Sequence, residues 1–389
     1  MPAIAVNARQ QLRIVMLTLA IFGATGWYFF AILFWQTPGQ DLMVFHTAAH
    51  VMARGDIALL LDGARFTAEL NRTHADWLRA NIVFHPWVYP PPMLLIAMPL
   101  GLLSYGAAYL VFTGGTLAAM IATLILWARD AQSRALLIGG VIVCPATAYA
   151  IGAGQNSFLN ATLILAGFFL LPTRPFVAGL LLGVLGLKPQ LALMVPVALL
   201  AGRHWRAIFG VATSGVLLGL LSLPIGGLAL WQAWLTLMLS GDAAFHTWIE
   251  AGRMYGQSVY ADARVLGATH GIATAAQWAA AGISATAVWH AFSRAYPNTL
   301  RLSVFLVATI LAAPHVAPYD AVFVGIAAML TLLNGLTRPF AKHEAMAAML
   351  LWLTTLINPA FLLPPGVITP LVFAFYLFTV LRPTAGAQT

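Results

Sequence analysis

Asp41 stands six residues beyond Trp35, where the first hydrophobic run ends. A carboxylate at that water boundary can take the proton from an acceptor hydroxyl, its pKa adjusted by partial burial. It can equally cap the helix expected over 42–53, since aspartate is a favoured N-cap residue. The sequence leaves both roles open. Lys188 is the second informative residue. It interrupts the apolar stretch 175–200 at Leu187-Lys188-Pro189-Gln190, and a charge at membrane depth is costly and usually paired or functional. At a break between half-helices a lysine can receive a lipid phosphate as a point charge. The alternative is that it snorkels to the interface.

Other residues offer binding groups rather than reactive ones. Tyr89 precedes Pro90-Pro91-Pro92, a run that forbids a helix interior and fixes an extended segment. Tyr89 and Trp87 there could offer ring faces to a sugar, or belong to a rigid return into the membrane. In Gly154-Gln155-Asn156-Ser157, turn chemistry accounts for glycine and asparagine but not for Gln155. Gln155 and Asn156 are therefore hydrogen-bonding candidates. Arg253 and Tyr255 are phosphate or sugar candidates in a stretch whose Trp231, Trp234 and Trp248 read as interfacial anchors. His315 and Asp320 flank Pro318 and could line a cavity or cap a helix. His46 and His50 share a helix face, but no third ligand stands at a motif distance, so no metal is expected. Asp56, Asp62, Glu69 and Asp76 alternate with Arg54, Arg65, Arg72 and Arg79 and read as a solvated, ion-paired surface.

These residues belong to a chain built for lipid. Of 389 residues 61% are hydrophobic and 8% charged, against about 25% charged in soluble domains. The mean hydropathy is +0.87. Apolar runs in lipid must be helices, which satisfy their own backbone, so the fold class is an all-α polytopic integral membrane protein. The expected spans are 14–35, 106–127, 135–150, 157–172, 205–223, 272–292, 299–313, 318–336, 345–358 and 366–381, about ten in all. The short piece 92–103 and the broken piece 175–200 read as half-helices. One membrane domain, 1–389, is expected, with extracytoplasmic loops at 35–91 and 225–271.

Charge sets the orientation. Arg9, Arg13, Arg129, Arg134, Arg174, Arg203, Arg206, Arg294, Arg301, Arg338, Lys342 and Arg382 fall on alternate ends of the spans. These 12 of the 19 basic residues mark the cytoplasmic side, and 9 of the 11 acids fall on the other. The segment 175–200 must then enter and return as a hairpin with Lys188 at its tip. The net charge of +8 is a topology signal, and no nucleic-acid partner is expected. Arg9 and Arg13 before a run long enough to span predict an uncleaved signal anchor in the plasma membrane. The single cysteine, Cys144, excludes an intramolecular disulfide. No phosphate-cradling Gly-Lys loop, dinucleotide fingerprint or serine-nucleophile elbow is present. A soluble nucleotide would be cytoplasmic in any case, while the polar residues lie outside. An activated substrate must therefore be carried by lipid.

The ordered set of motifs resembles glycosyltransferase family 87 of the GT-C superfamily, the polyprenyl-phosphate-mannose-dependent mannosyltransferases. An aspartate after the first span is followed by Tyr89-Pro90-Pro91, Gly154-Gln155-Asn156, Lys188-Pro189, Arg203-His204-Trp205-Arg206 and Pro314-His315…Tyr319-Asp320. The likeness covers about residues 14–340. It implies a GT-C-like bundle with an extracytoplasmic site and a polyprenyl-phosphate sugar as co-substrate. It implies a lipid, glycan or glycolipid acceptor, and it favours mannose as the sugar. Asp41 matches the family's base, Lys188 the hairpin lysine near the donor phosphate, and Gln155 and Asn156 the turn. Apolar Leu42-Met43-Val44 follows Asp41 where GT-C enzymes often carry a second acid, which again argues against a metal.

The chemistry suits that inventory. Displacement at an anomeric carbon needs one base, a leaving group already activated as a lipid phosphate, and a cation to meet its charge. A double displacement would need a second carboxylate near the carbon, so inversion is expected. The rival reading is a lipid or sugar transporter, to which broken helices also belong; it needs charges near mid-span, and almost none are found. Reporter fusions within 35–91 should score as extracytoplasmic, and a cytoplasmic signal there would overturn this topology.

Overall fold

The computed structural model describes residues 2–34, 38–240, 247–248, 258–338, 340–341, 343–356 and 368–381. Every regular element among them is helical. In chain order these are α1 (Pro2–Phe34), α2 (Gln40–Ala53), α3 (Ile57–Leu61) and α4 (Gly63–Thr73). Next come α5 (Pro91–Leu100), α6 (Tyr105–Trp127), α7 (Ala131–Ile142), α8 (Pro145–Ala153) and α9 (Ser157–Leu170). They are followed by α10 (Pro175–Leu187), α11 (Pro189–Ala201), α12 (Trp205–Ser240), α13 (Val259–Val265) and α14 (His270–Ser293). The last are α15 (Asn298–Ala312), α16 (Pro318–Leu336), α17 (Glu344–Leu356) and α18 (Ile368–Leu381). Proline opens α8, α10 and α11, positions where its missing N–H would lack a partner anyway.

Among the described residues four helices are long and apolar enough to cross a membrane: α1 over Leu12–Ile32, α6, α12 and α16. There are five if α7 and α8, bent by 57°, form one span. The other stretches read as spans are helical where described, but α9, α15, α17 and α18 have only 10–17 residues. At 1.5 Å per residue these reach about 15–26 Å, short of a hydrocarbon layer of about 30 Å. The alanine-rich α14 is long enough but less apolar.

Burial separates the axis from the rim. In the most apolar window of α16, 78% of residues are buried, against 17% in α12. With α15, whose Leu302–Ala312 are all buried, α16 forms the centre of the main core. Trp27 Nε1 donates to Ile142 O at 2.8 Å and Trp352 Nε1 to Gly140 O at 3.0 Å, tying α1 and α17 to α7. In the hairpin, Gly179 faces Ala207 and Gly183 faces Val211 and Ser214, so α10 and α12 run parallel in direct contact, while α11 returns against α14 and α15. Lys188 is the tip, as the charge pattern requires.

Two expectations change. The segment 35–91 is not only a solvated loop. Leu42, Phe45, Phe66, Leu70, Trp87 and Met93 build a second core with Leu187 and Leu230. Its outer surface is ion-paired: Glu69 meets Arg54 and Arg72, each at 2.7 Å, and Arg72 foremost holds its carboxyl down at about 2. Asp56 and Asp62 instead cap α3 and α4, accepting from Leu59 N and Arg65 N. The second loop also starts later than residue 225, because α12 continues to Ser240 through a kink at Gly227 (φ 64°). Packing holds the extension: Leu230 is buried in the second core, and Trp234 Nε1 donates to Val88 O at 3.2 Å.

Gly154 (φ +68°) tests how closely the two cores are joined, because a Cβ there would stand 2.9 Å from Leu42 Cβ and 3.0 Å from Gly39 Cα. Gly55 (φ +70°) has nothing within 4 Å, so Gly55→Ala carries the backbone strain alone, about 1–3 kcal/mol. In thermal unfolding of the purified protein, Gly154→Ala should lose clearly more stability than Gly55→Ala. Equal losses would mean that the close approach contributes nothing.

Candidate active site

Two left-handed glycines bring the first candidates together. Gly39 (φ 82°) is the N-cap of α2 and Gly154 (φ 68°) ends α8. Gly39 N–H donates to Gly152 O at 2.7 Å. From α6, Tyr105 Oη donates to Gly39 O and Tyr109 Oη to Ile151 O, both at 2.7 Å, pinning each turn. Since Gly39 occupies the cap, Asp41 falls inside the first turn, and its carboxylate is not used as a cap.

The Gln155 amide has only one workable orientation. Its Oε1 accepts from the backbone N–H of Asn156 at 2.8 Å and from Tyr89 Oη at 3.1 Å. Its Nε2 therefore faces Asp41 and donates to Oδ2 at 2.9 Å. His85 Nε2 lies 3.3 Å from Oδ1. A carboxylate has about four lone-pair sites, so each oxygen keeps room for a further donor. The Asp41 side chain is 18% exposed.

Lys188 does not snorkel. Its ammonium is 2.8 Å from both oxygens of Asp320, with side chains 5% and 1% exposed. Ser157 Oγ donates to Asp320 Oδ1 at 2.8 Å, and the Tyr319 ring centroid lies 4.8 Å from Lys188 Nζ. A buried pair of this kind is sustained only when further hydrogen bonds satisfy its oxygens; Ser157 supplies one. The ion pair joins the hairpin tip, the start of α9 and the start of α16.

These groups surround a cavity of about 380 Å³. Asp41, His85, Tyr89, Gln155, Lys188, Trp248, His315 and Tyr319 line it. The cavity thus gathers Asp41, Gln155, Tyr89, Lys188 and His315 from the sequence candidates, with Asp320 directly behind Lys188. Asn156 takes part through its backbone, while its side chain accepts from Asn160 at 3.2 Å. Arg253 and Tyr255 lie outside the described residues. Trp87 is 1% exposed and packs against Phe45 and Tyr89, so it offers no face to a sugar. His46 meets the rings of His50 and Tyr105 edge-on, with centroids 4.6 and 5.6 Å away, and among the described residues no group of three or more His, Cys, Asp and Glu could hold a metal.

Sequence reasoning passes over His85, Ser157 and Tyr319. His85 sits four residues before Tyr89, and Tyr319 adjoins Asp320; neither spacing is a motif that chemistry alone would single out. Ser157, the first residue of α9, donates its hydroxyl to the Asp320 carboxylate.

The arrangement offers a held carboxylate and a buried, neutralised cation around one cavity. Residues 87–318 match the model of glycosyltransferase family 87. The chain belongs to glycosyltransferase family 87. It is a membrane glycosyltransferase, and the stretch matched to family 87 carries Tyr89, Gln155, Lys188 and His315. Asp41 and His85 come to the cavity from the N-terminal side of that stretch, and Asp320 from just beyond it. No curated protein and no solved structure matches the chain.

Lys188→Met should strand the Asp320 carboxylate and lower stability by about 3–5 kcal/mol, whereas Lys188→Met/Asp320→Leu should recover most of it. Thermal unfolding of the purified variants checks this. Single and double variants melting together would mean that the pair does not hold these elements.

Proposed function

We propose that the enzyme transfers a hexose, with mannose favoured by the resemblance, from a polyprenyl-phosphate sugar to a hydroxyl of a lipid or glycan acceptor. The transfer takes place on the extracytoplasmic face of the plasma membrane. The observation that carries this reading is the Asp41 carboxylate at the cavity wall, with Gln155 on one oxygen and His85 on the other. A carboxylate held in this way is oriented before substrate arrives, and general bases of this kind contribute about 10²–10⁴-fold.

In the proposed step the acceptor oxygen attacks the anomeric carbon as its proton passes to Asp41. The bond between that carbon and the phosphate oxygen breaks, and polyprenyl monophosphate leaves with the electron pair. One displacement inverts the anomeric centre. Lys188 has three N–H donors; with Asp320 taking two, the third is proposed to meet the departing phosphate. Charge-assisted contacts at a leaving group matter most as its charge grows. His315, Arg253 and Tyr255 are proposed to add phosphate and sugar contacts, and the Tyr89 ring to back the sugar.

Transfer in proteoliposomes tests the reading. Purified wild type and Asp41→Asn would be given polyprenyl-phosphate mannose and a mixed extract of membrane lipids and glycans. Wild type should form a mannosylated product, and Asp41→Asn should fall by about 10²–10⁴-fold with its melting temperature kept. Equal transfer by both would remove Asp41 as the base.

A further inference from the structure

The end of the bundle away from this cavity holds a second polar cleft. α15 runs from Asn298 to Ala312, three residues short of His315 at the cavity. Fifteen residues of helix put Asn298 about 20 Å away from that end. There Trp127, Phe168, Pro172, His204, Asn298 and Arg301 line a space of about 160 Å³, room for about five waters by liquid volume.

Its polar side chains are only partly satisfied by the protein. Arg301 Nη2 donates to Arg294 O at 2.5 Å, and the guanidinium carbon sits 6.0 Å from the Phe292 ring centroid. Its Nε is buried and has no partner. Among the described residues the side chains of Asn298 and His204 make no hydrogen bond, and no carboxylate pairs with Arg301. The two acids expected at this end are already engaged: Asp130 Oδ1 accepts from Ser133 N at 2.7 Å, and Glu344 holds Arg338 and Asn334. A planar guanidinium with unused N–H groups suits a phosphate, which it can bind through two oxygens.

The rim of the cleft is apolar. Phe169, whose ring is 6.0 Å from Trp127, is 40% exposed, and Trp205, next to His204, is 63% exposed. A free phosphate ion gains nothing from that rim, whereas acyl chains would lie against it. We propose that the cleft binds the headgroup phosphate of one anionic membrane phospholipid per chain, separate from the sugar-transfer site. The guanidinium and Asn298 grip the phosphate oxygens, and the exposed aromatics receive the first methylenes.

Native mass spectrometry of the full chain in detergent tests this with phosphatidylglycerol, diacylglycerol of the same tails, polyprenyl monophosphate and inorganic phosphate. Wild type should retain one phosphatidylglycerol at least about tenfold more tightly than diacylglycerol. Arg301→Gln should fall to the diacylglycerol level, with Arg206→Gln, an exposed arginine at the same end, unchanged. If Arg301→Gln does not fold, Arg301→Lys and His204→Ala/Asn298→Ala take its place, each expected to weaken phosphatidylglycerol severalfold. Equal retention by wild type and these variants would overturn the proposal, as would an equal loss in Arg206→Gln. Stronger retention of polyprenyl monophosphate or inorganic phosphate than of phosphatidylglycerol would also overturn it.

Discussion

The contact between Lys188 and Asp320 fastens the cavity end of the bundle. Each charge alone would be intolerable where both are almost fully buried. Together, with Ser157 on one oxygen and the Tyr319 ring below the ammonium, they form a junction that cannot open without stranding a charge. Three breaks in the helical pattern meet there: the hairpin tip, the Gln155–Ser157 turn and the Pro318 turn. Breaks of this kind expose backbone groups that lipid cannot satisfy, so they persist only where protein or a wet cavity surrounds them. The ion pair is therefore also the reason why the irregular segments cluster and leave a polar cavity.

Beside Asp41 the same end relies on close approach rather than on charge. Gly39 and Gly154 touch because neither carries a side chain, and both use backbone angles that favour glycine. Tyr105 and Tyr109 reach across from α6 to bond the two turns. The result is a carboxylate whose position comes from main-chain contacts, with α2 packed on its own core below it. A side chain set by backbone is held more narrowly than one on a free loop.

Much of this was legible in the residues. Apolar runs marked nearly every helix, and the cost of Lys188 in lipid marked it as important. What the sequence did not carry was the partner: Asp320 is 132 residues away, and nothing local pairs them. The competing roles of Asp41 could not be separated either, because the choice turned on whether Gly39 occupied the cap. The span expected at 135–150 is two helices, because hydropathy runs through the turn at Val143–Cys144, where α7 ends and α8 begins. The extension of α12 was hidden by Pro224 and Gly226-Gly227, which read as a stop but form a kink held from outside by the second core. His85 escaped notice because its value lies in a contact with Asp41, made through the fold rather than through spacing.

The fixed direction of the Gln155 amide has a chemical corollary. Its oxygen is committed to Asn156 N–H and Tyr89, so only its nitrogen can look at Asp41. Hydrolysis of that amide, a slow spontaneous ageing reaction of glutamine side chains, would exchange the nitrogen for an oxygen. Two anions would then face each other across a hydrogen-bond distance, and one would have to take up a proton or turn away. The contact with Asp41 therefore depends on this side chain remaining an amide.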